Sequence, residues 1–204
     1  MPFTLEQFAG LRPVLYHLTA LDNLASIAKR QRLDSALTLM DLAGDSTYAR
    51  RRRPEAVQLR RRGQTVAMLR DQAPLREGNA ALDGGWTFAD LVEDLNGRVF
   101  FWPGTERRPI PDGQRHFERY ADESIAVLMV DTTALFAANG GATFCRYNSG
   151  SPRWSGGRPS PRGPGTFVAA ADAPFTAGQV VEVTFRNTVV LPNGAVRVKR
   201  RRMD

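Results

Sequence analysis

A chain of 204 residues suffices for one sizeable core, and 42% hydrophobic with 24% charged residues is ordinary for a soluble globular domain. A net charge of +7 favours an anionic partner, either DNA or RNA or a phosphate-bearing ligand. No apolar run reaches the length of a membrane span, Met1 to Glu6 lacks the basic and apolar blocks of a signal peptide, and the single cysteine, Cys145, excludes a disulfide framework and a Cys-rich zinc site.

These features imply a cytoplasmic, metal-free protein with one free, buried thiol. All but two of the 28 basic residues are arginine, the side chain suited to bidentate phosphate contacts. Arginine is also what a GC-rich genome supplies, and Ala, Gly and Pro are frequent here as well.

Residues 3–11 carry Phe3, Leu5, Phe8 and Leu11 after Thr4, with Gln7 at the reciprocal capping position, so a helix is expected there, ended by Pro13. Val14 to Leu18 has strand character, and Leu21, Leu24 and Ile27 mark one face of a helix from about Asp22 to Arg30. The polar residues His17, Thr19, Asp22 and Asn23 cluster at this junction, where a scaffold commonly presents side chains to a ligand; Thr19 or Asp22 would alternatively cap the helix.

The segment Tyr16-His17-Leu18-Thr19-Ala20-Leu21-Asp22-Asn23-Leu24-Ala25-Ser26-Ile27 resembles the opening motif Y-H-x-T-x-x-D-N-L-x-x-I of the DarT-like ADP-ribosyltransferases. That resemblance implies an NAD-consuming transferase of ADP-ribose acting on nucleic acid. It also implies an NAD pocket holding His17, Thr19 and Asn23, a toxin role and an antitoxin partner. The fold it implies is a single α+β domain over residues 1–204 with an ADP-ribosyltransferase-like split, mostly antiparallel sheet of six to eight strands flanked by helices.

Leu33 to Leu42 is apolar but of ambiguous period. Arg50 to Arg53 reads as a solvated charge run. By resemblance, the second arginine of a pair preceding a valine is catalytic. Aligning that valine with Val57 selects Arg52, with Arg51 as the alternative. A guanidinium there would clamp the NAD pyrophosphate or stabilise charge as nicotinamide leaves.

Val57–Leu59 and Thr65–Leu69 read as strands about the polar turn Arg60 to Gly63. Val66 to Gln72 stands where the resembled family carries an aromatic V-P-F-Y-F-x-x-R segment, and with Arg98 to Trp102 downstream it resembles an uncharacterised bacterial branch sharing the opening motif. Thr87 to Leu95 has helical spacing, and Gly97 suits a left-handed cap.

Arg98 to Pro103 is an aromatic strand. Phe100, Phe101 or Trp102 would stack on nicotinamide if the resemblance holds, and Phe101 is the chosen candidate. Gln114 to Tyr120 suits one or two helical turns, with His116 at the surface. Ser124 to Val130 is the clearest buried strand, and Asp131 caps the short helix after it.

Phe144 to Tyr147 reads as a strand entering a loop over 147–165 made almost wholly of Ser, Gly, Pro and Arg. Thr166–Ala170 and Val180–Phe185 read as strands. Val189–Leu191 and Ala195–Val198 read as a terminal hairpin across Pro192-Asn193-Gly194, and 199–204 as a mobile basic tail.

Transfer of ADP-ribose calls for a carboxylate near the ribose. Glu182 lies inside an apolar strand, where an unpartnered carboxylate is costly. Counting back from Ala173-Pro174-Phe175 instead places the resembled family's glutamate near Thr166, which has no carboxylate. Glu182 is therefore either catalytic or structural. In the second case the protein is a non-catalytic nucleotide or nucleic-acid binder, or a transferase working through Arg and His as RNA 2′-phosphotransferases do.

Overall fold

In the computed structural model, which describes residues 2–152, 154–155 and 158–201, a six-stranded antiparallel sheet carries the molecule. Chain order begins with α1 (Leu5–Leu11), closed at its start by the Thr4–Gln7 capping box, then β1 (Val14–Ala20). A 3-10 turn, Leu21–Asn23, leads into α2 (Leu24–Arg30). The ambiguous stretch after it resolves into β2 (Arg32–Asp34) and α3 (Ala36–Ala43), with Ser35 as N-cap.

A hairpin of β3 (Val57–Arg61) and β4 (Gln64–Leu69) follows. Its turn places Arg62 and Gly63 at φ of 49° and 80°, the geometry a tight hairpin demands. Next come α4 (Phe88–Asn96), β5 (Arg98–Gly104), α5 (Pro111–Arg119), β6 (Ile125–Asp131) and α6 (Thr132–Ala138), with Asp131 capping α6 as expected.

The last third holds β7 (Thr143–Cys145), the short pair β8 (Trp154–Ser155) and β9 (Arg158–Pro159), then β10 (Glu182–Arg186), β11 (Thr188–Val190) and β12 (Val196–Arg201). The main sheet runs β12-β6-β1-β5-β10-β7. Phe8, Leu15, Phe101, Phe144, Val183 and Phe185 fill the principal core between this sheet and α1 and α6.

One feature of the ladder positions the site. β1 pairs with β5 only from Val14↔Gly104 to Tyr16↔Trp102. β1 then continues on β6 as far as Ala20↔Ile125, while β5 continues on β10 from Phe101 back to Arg98. The two central strands therefore part at His17, and a wedge opens between them.

Several expectations are corrected. Val189–Leu191 and Ala195–Val198 do not form a hairpin: β11 pairs with β2, and β12 crosses to β6. Lys199 and Arg200 lie in β12 on that ladder, not in a free tail, while residues 202–204 fall outside the described part. Thr166–Ala170 contributes only the isolated bridge Phe144↔Val168 before a 3-10 turn. Gly97 has φ of −78°, so it is no left-handed cap; a Cβ there would press on Arg186. Neither Thr19 nor Asp22 caps α2: Asn23 holds that position with no side-chain cap bond. Among the described residues no helix is long and apolar enough to cross a membrane.

Candidate active site

The wedge is the mouth of a cleft of ≈ 250 Å³. His17, Thr19, Arg53, Arg70, Trp102 and Glu182 all line it, drawn from β1, the 50–56 loop, the end of β4, β5 and β10. A second bay of ≈ 170 Å³ adjoins it and shares Pro74, His116, Asn148 and Ser151 with its walls. The cleft by itself is close to the lower end of small-molecule sites, roughly 300 Å³.

His17 stands where the β1–β5 ladder opens. Its Nδ1 lies 2.8 Å from the Phe100 carbonyl oxygen. A carbonyl only accepts, so Nδ1 carries the proton and Nε2 is left as an acceptor. Burial lowers the pKa of His17, which fixes the ring as neutral near pH 7.

Thr19 is buried, and its hydroxyl accepts from Asn23 Nδ2 at 3.0 Å. Asn23 spends its remaining capacity on β4: Nδ2 donates to the Met68 carbonyl at 2.9 Å, and Oδ1 accepts from the Met68 amide at 2.8 Å. Asn23 thus lines the cleft but acts as a clamp on the hairpin.

The arginine run divides sharply. Arg53 is buried and lines the cleft; Arg51 and Arg52 line a separate surface depression with Arg50, Pro54 and Thr87. Arg52 donates to the carbonyls of Gln72 and Ala73 at 3.2 and 3.1 Å, and Arg51 is exposed. The structure thus brings neither Arg52 nor Arg51, the expected arginines, to the cleft wall, and places Arg53 there instead.

Arg53 donates from Nε to the Arg70 carbonyl (3.0 Å) and from Nη1 to Asn96 Oδ1 (2.8 Å), while its amide donates to Gln72 Oε1. Asn96 is itself held by the carbonyls of Tyr48 and Ala49. All these acceptors are neutral. Burial lowers the Arg53 pKa to about 10, so it stays charged, and no carboxylate pairs with it within 4 Å among the described residues.

Glu182 is buried and lines the cleft from the start of β10, opposite Cys145. The Ser149 amide donates to Glu182 Oε2 at 3.1 Å. Burial pushes the carboxyl up to about 7, against the pull of Ser149 and of the Arg162 charge. Arg162 is itself buried and holds the loop: it donates to the carbonyls of Asn148 (3.1 Å), Ser149 (3.4 Å) and Ser160 (2.6 Å) and stacks over Tyr147. The ring of carbonyls around its guanidinium fixes the Ser149 amide on Glu182. Within the Gly/Pro/Ser/Arg stretch expected as a loop, Arg153 and the side chain of Arg158 lie outside the described residues.

Phe101 is corrected as a stacking candidate. It is fully buried and packs on Phe185 and the back of the His17 ring, whereas its neighbours Phe100 and Trp102 face the cleft. His116, expected at the surface, stacks on Trp102 with ring centroids 4.1 Å apart. Burial, with Arg70 and Arg119 nearby, holds its pKa down to about 3.

Trp102 was an alternative stacking candidate in the aromatic strand, whereas Arg70, Tyr120 and Ser149 were not singled out by sequence reasoning as site residues. Nothing in the local pattern marks them; only the fold assembles them. No cluster of three or more His, Cys, Asp or Glu suited to a metal occurs among the described residues.

The fold defines an α+β protein with a cleft at the parting of two central strands, lined by the arginines Arg53, Arg70 and Arg98 and by the carboxylates Asp34, Asp71 and Glu182. Over residues 13–193 the chain matches a family of unknown function (DUF7002), and it belongs to that family. No curated protein and no solved structure matches it.

Proposed function

We propose that the protein is an NAD-dependent ADP-ribosyltransferase, with nucleic acid as the acceptor class its charge favours. The observation that carries this reading is the convergence, in one cleft, of a neutral His17, an unpaired Arg53 and a buried Glu182 from three distant parts of the chain. The parting of β1 from β5 falls at the His17 of the Y-H-x-T-x-x-D-N-L motif, and it supports this reading because the resemblance implies a split sheet.

In this reading His17 Nε2 accepts from a ribose hydroxyl, and Arg53 faces the diphosphate. Phe100, whose ring flanks the opening, packs against nicotinamide. The glycosidic bond between ribose C1′ and nicotinamide breaks, and its electron pair returns to the pyridinium nitrogen. Positive charge then develops on the ribose, where the ionised Glu182 stabilises it. The acceptor nucleophile bonds to C1′ and releases a proton.

A carboxylate held near 7 is ionised in about half the molecules at neutral pH, so nicotinamide release should rise with pH through that region. The presence of Glu182 in the cleft favours this chemistry over a glutamate-free phosphotransferase.

The test is nicotinamide release from NAD, with and without DNA or RNA. Arg53→Gln and Glu182→Gln should each lower the rate by about 100-fold or more, the scale of a removed electrostatic stabiliser. Arg52→Ala, which lies outside the cleft, should stay within about threefold. NAD binding without turnover in the native protein would make it a binding module instead, and loss of activity in Arg52→Ala with Arg53→Gln active would reverse the assignment.

A further inference from the structure

Two donor atoms in the cleft, Trp102 Nε1 and Arg70 Nε, have no hydrogen-bond acceptor among the described residues. Trp102 Nε1 is buried without a hydrogen-bond partner, although the residue as a whole is only 7% exposed. Arg70 Nε is likewise buried and unpartnered. Arg70 Nη2 has only an ion-pair contact, 3.1 Å from the half-exposed Glu123, that lacks hydrogen-bond alignment. Leaving such groups dry and unpaired is costly, so their coincidence in one cleft calls for an acceptor from outside the chain.

The two groups belong to one continuous wall. The Arg70 guanidinium lies 3.5 Å over the Tyr120 ring. Tyr120 packs edge-on to His116 at 5.2 Å, and His116 stacks on Trp102. His116 is held neutral, so this wall presents one guanidinium charge and an indole N–H on an aromatic backing. Arg53 binds the Arg70 carbonyl through its own Nε, which brings a second guanidinium to the same end of the cleft. Both groups only donate, so a matching ligand part must be rich in acceptors; Asp71, 3.4 Å from the Tyr120 hydroxyl, and Glu123, in ion-pair contact with Arg70, are the carboxylates beside them, and an anion seated here would take the place of Glu123 on the Arg70 guanidinium.

We propose that Arg70 and Trp102 form a phosphate seat, with Tyr120 and His116 as its backing. Its occupant is the diphosphate of a nucleotide; this last step rests on the dinucleotide reading above, whereas the seat itself rests on the unpaired donors.

The experiment is calorimetric titration of the native protein, Arg70→Gln, Trp102→Phe and Arg115→Gln with inorganic pyrophosphate, ADP-ribose and adenosine. Trp102→Phe keeps an aromatic ring but removes the N–H. Arg115 lines the neighbouring bay and controls for loss of bulk charge. Arg70→Gln should weaken pyrophosphate and ADP-ribose at least tenfold and leave adenosine unchanged. Trp102→Phe should weaken both phosphate probes about threefold or more, and Arg115→Gln should stay within twofold.

Native affinity in both cleft variants, an equal loss in Arg115→Gln, or no binding of either phosphate probe by the native protein would overturn the seat. If Arg70→Gln does not fold, Trp102→Phe with a native melting profile decides alone. Arg70-dependent binding of pyrophosphate without any nicotinamide release would keep the seat and remove the transferase reading, so the two fail separately.

Discussion

At the scale of single residues, Glu182 sets the sharpest expectation. Its folded pKa of about 7 lies above its ordinary value of 4.5, so the folded state binds the proton more tightly than the unfolded chain. Its contribution to stability is fully present below pH 4.5, declines as the pH rises, and is gone above about pH 7. The span corresponds to about 3 kcal/mol.

His116, held down to about 3, acts with the opposite sign: its contribution is complete above pH 6.5 and fades as the pH falls toward 3. The two windows overlap, so the native melting curve alone is ambiguous. The informative quantity is the difference from Glu182→Gln, which does not ionise. That variant should gain on the native protein between pH 5 and pH 8 in thermal denaturation, and a difference independent of pH would show that Glu182 is not held protonated.

At the scale of elements, the β3–β4 hairpin is tied to the β1–α2 junction by one side chain. Asn23 exchanges two hydrogen bonds with the Met68 backbone and a third with Thr19. Asn23→Ala should cost about 2–3 kcal/mol in denaturant unfolding, the net worth of that set. If NAD affinity falls instead while stability is unchanged, Asn23 is a ligand contact and not a clamp.

The junction itself was legible in the sequence because it is local: strand residues, a polar cluster and a helical apolar repeat follow one another from Val14 to Ile27. The capped helices α1 and α6 were legible for the same reason, since Thr4, Gln7 and Asp131 bond within one turn of themselves. The arginine register was not. Four identical side chains carry no period, and the choice of Arg53 is made by Gln72 and Asn96, which lie some 19 and 43 positions away. Phe100 and Phe101 were indistinguishable for a related reason: β5 is covered on both faces, so alternation in polarity is missing. The terminal hairpin failed because each of its strands finds a better partner elsewhere, β11 on β2 and β12 on β6.

At the scale of the whole molecule, the positive charge is not all on the surface. Arg53, Arg98 and Arg162 are buried. Arg98 is paired with Asp94, which also binds Arg186, and lies over the Phe167 ring. Arg162 is spent on carbonyls, and Arg53, bonded to the Arg70 carbonyl and to Asn96, lines the cleft. Part of the +7 is therefore architecture and not surface charge.

The same architecture leaves a chemical clock inside the protein. Cys145 lies on β7, the edge strand beside Glu182, fully buried with its thiol pushed up to about 12. A thiolate is the reactive species, so an aromatic disulfide reagent should barely touch the native protein near pH 8 and should react completely in concentrated guanidinium. The labelling rate under native conditions then counts how often the β7–β10 edge peels open. Any small molecule that seats against Glu182 should slow that count in proportion to its occupancy, which makes one sulfur atom a screen for compounds that occupy the cleft.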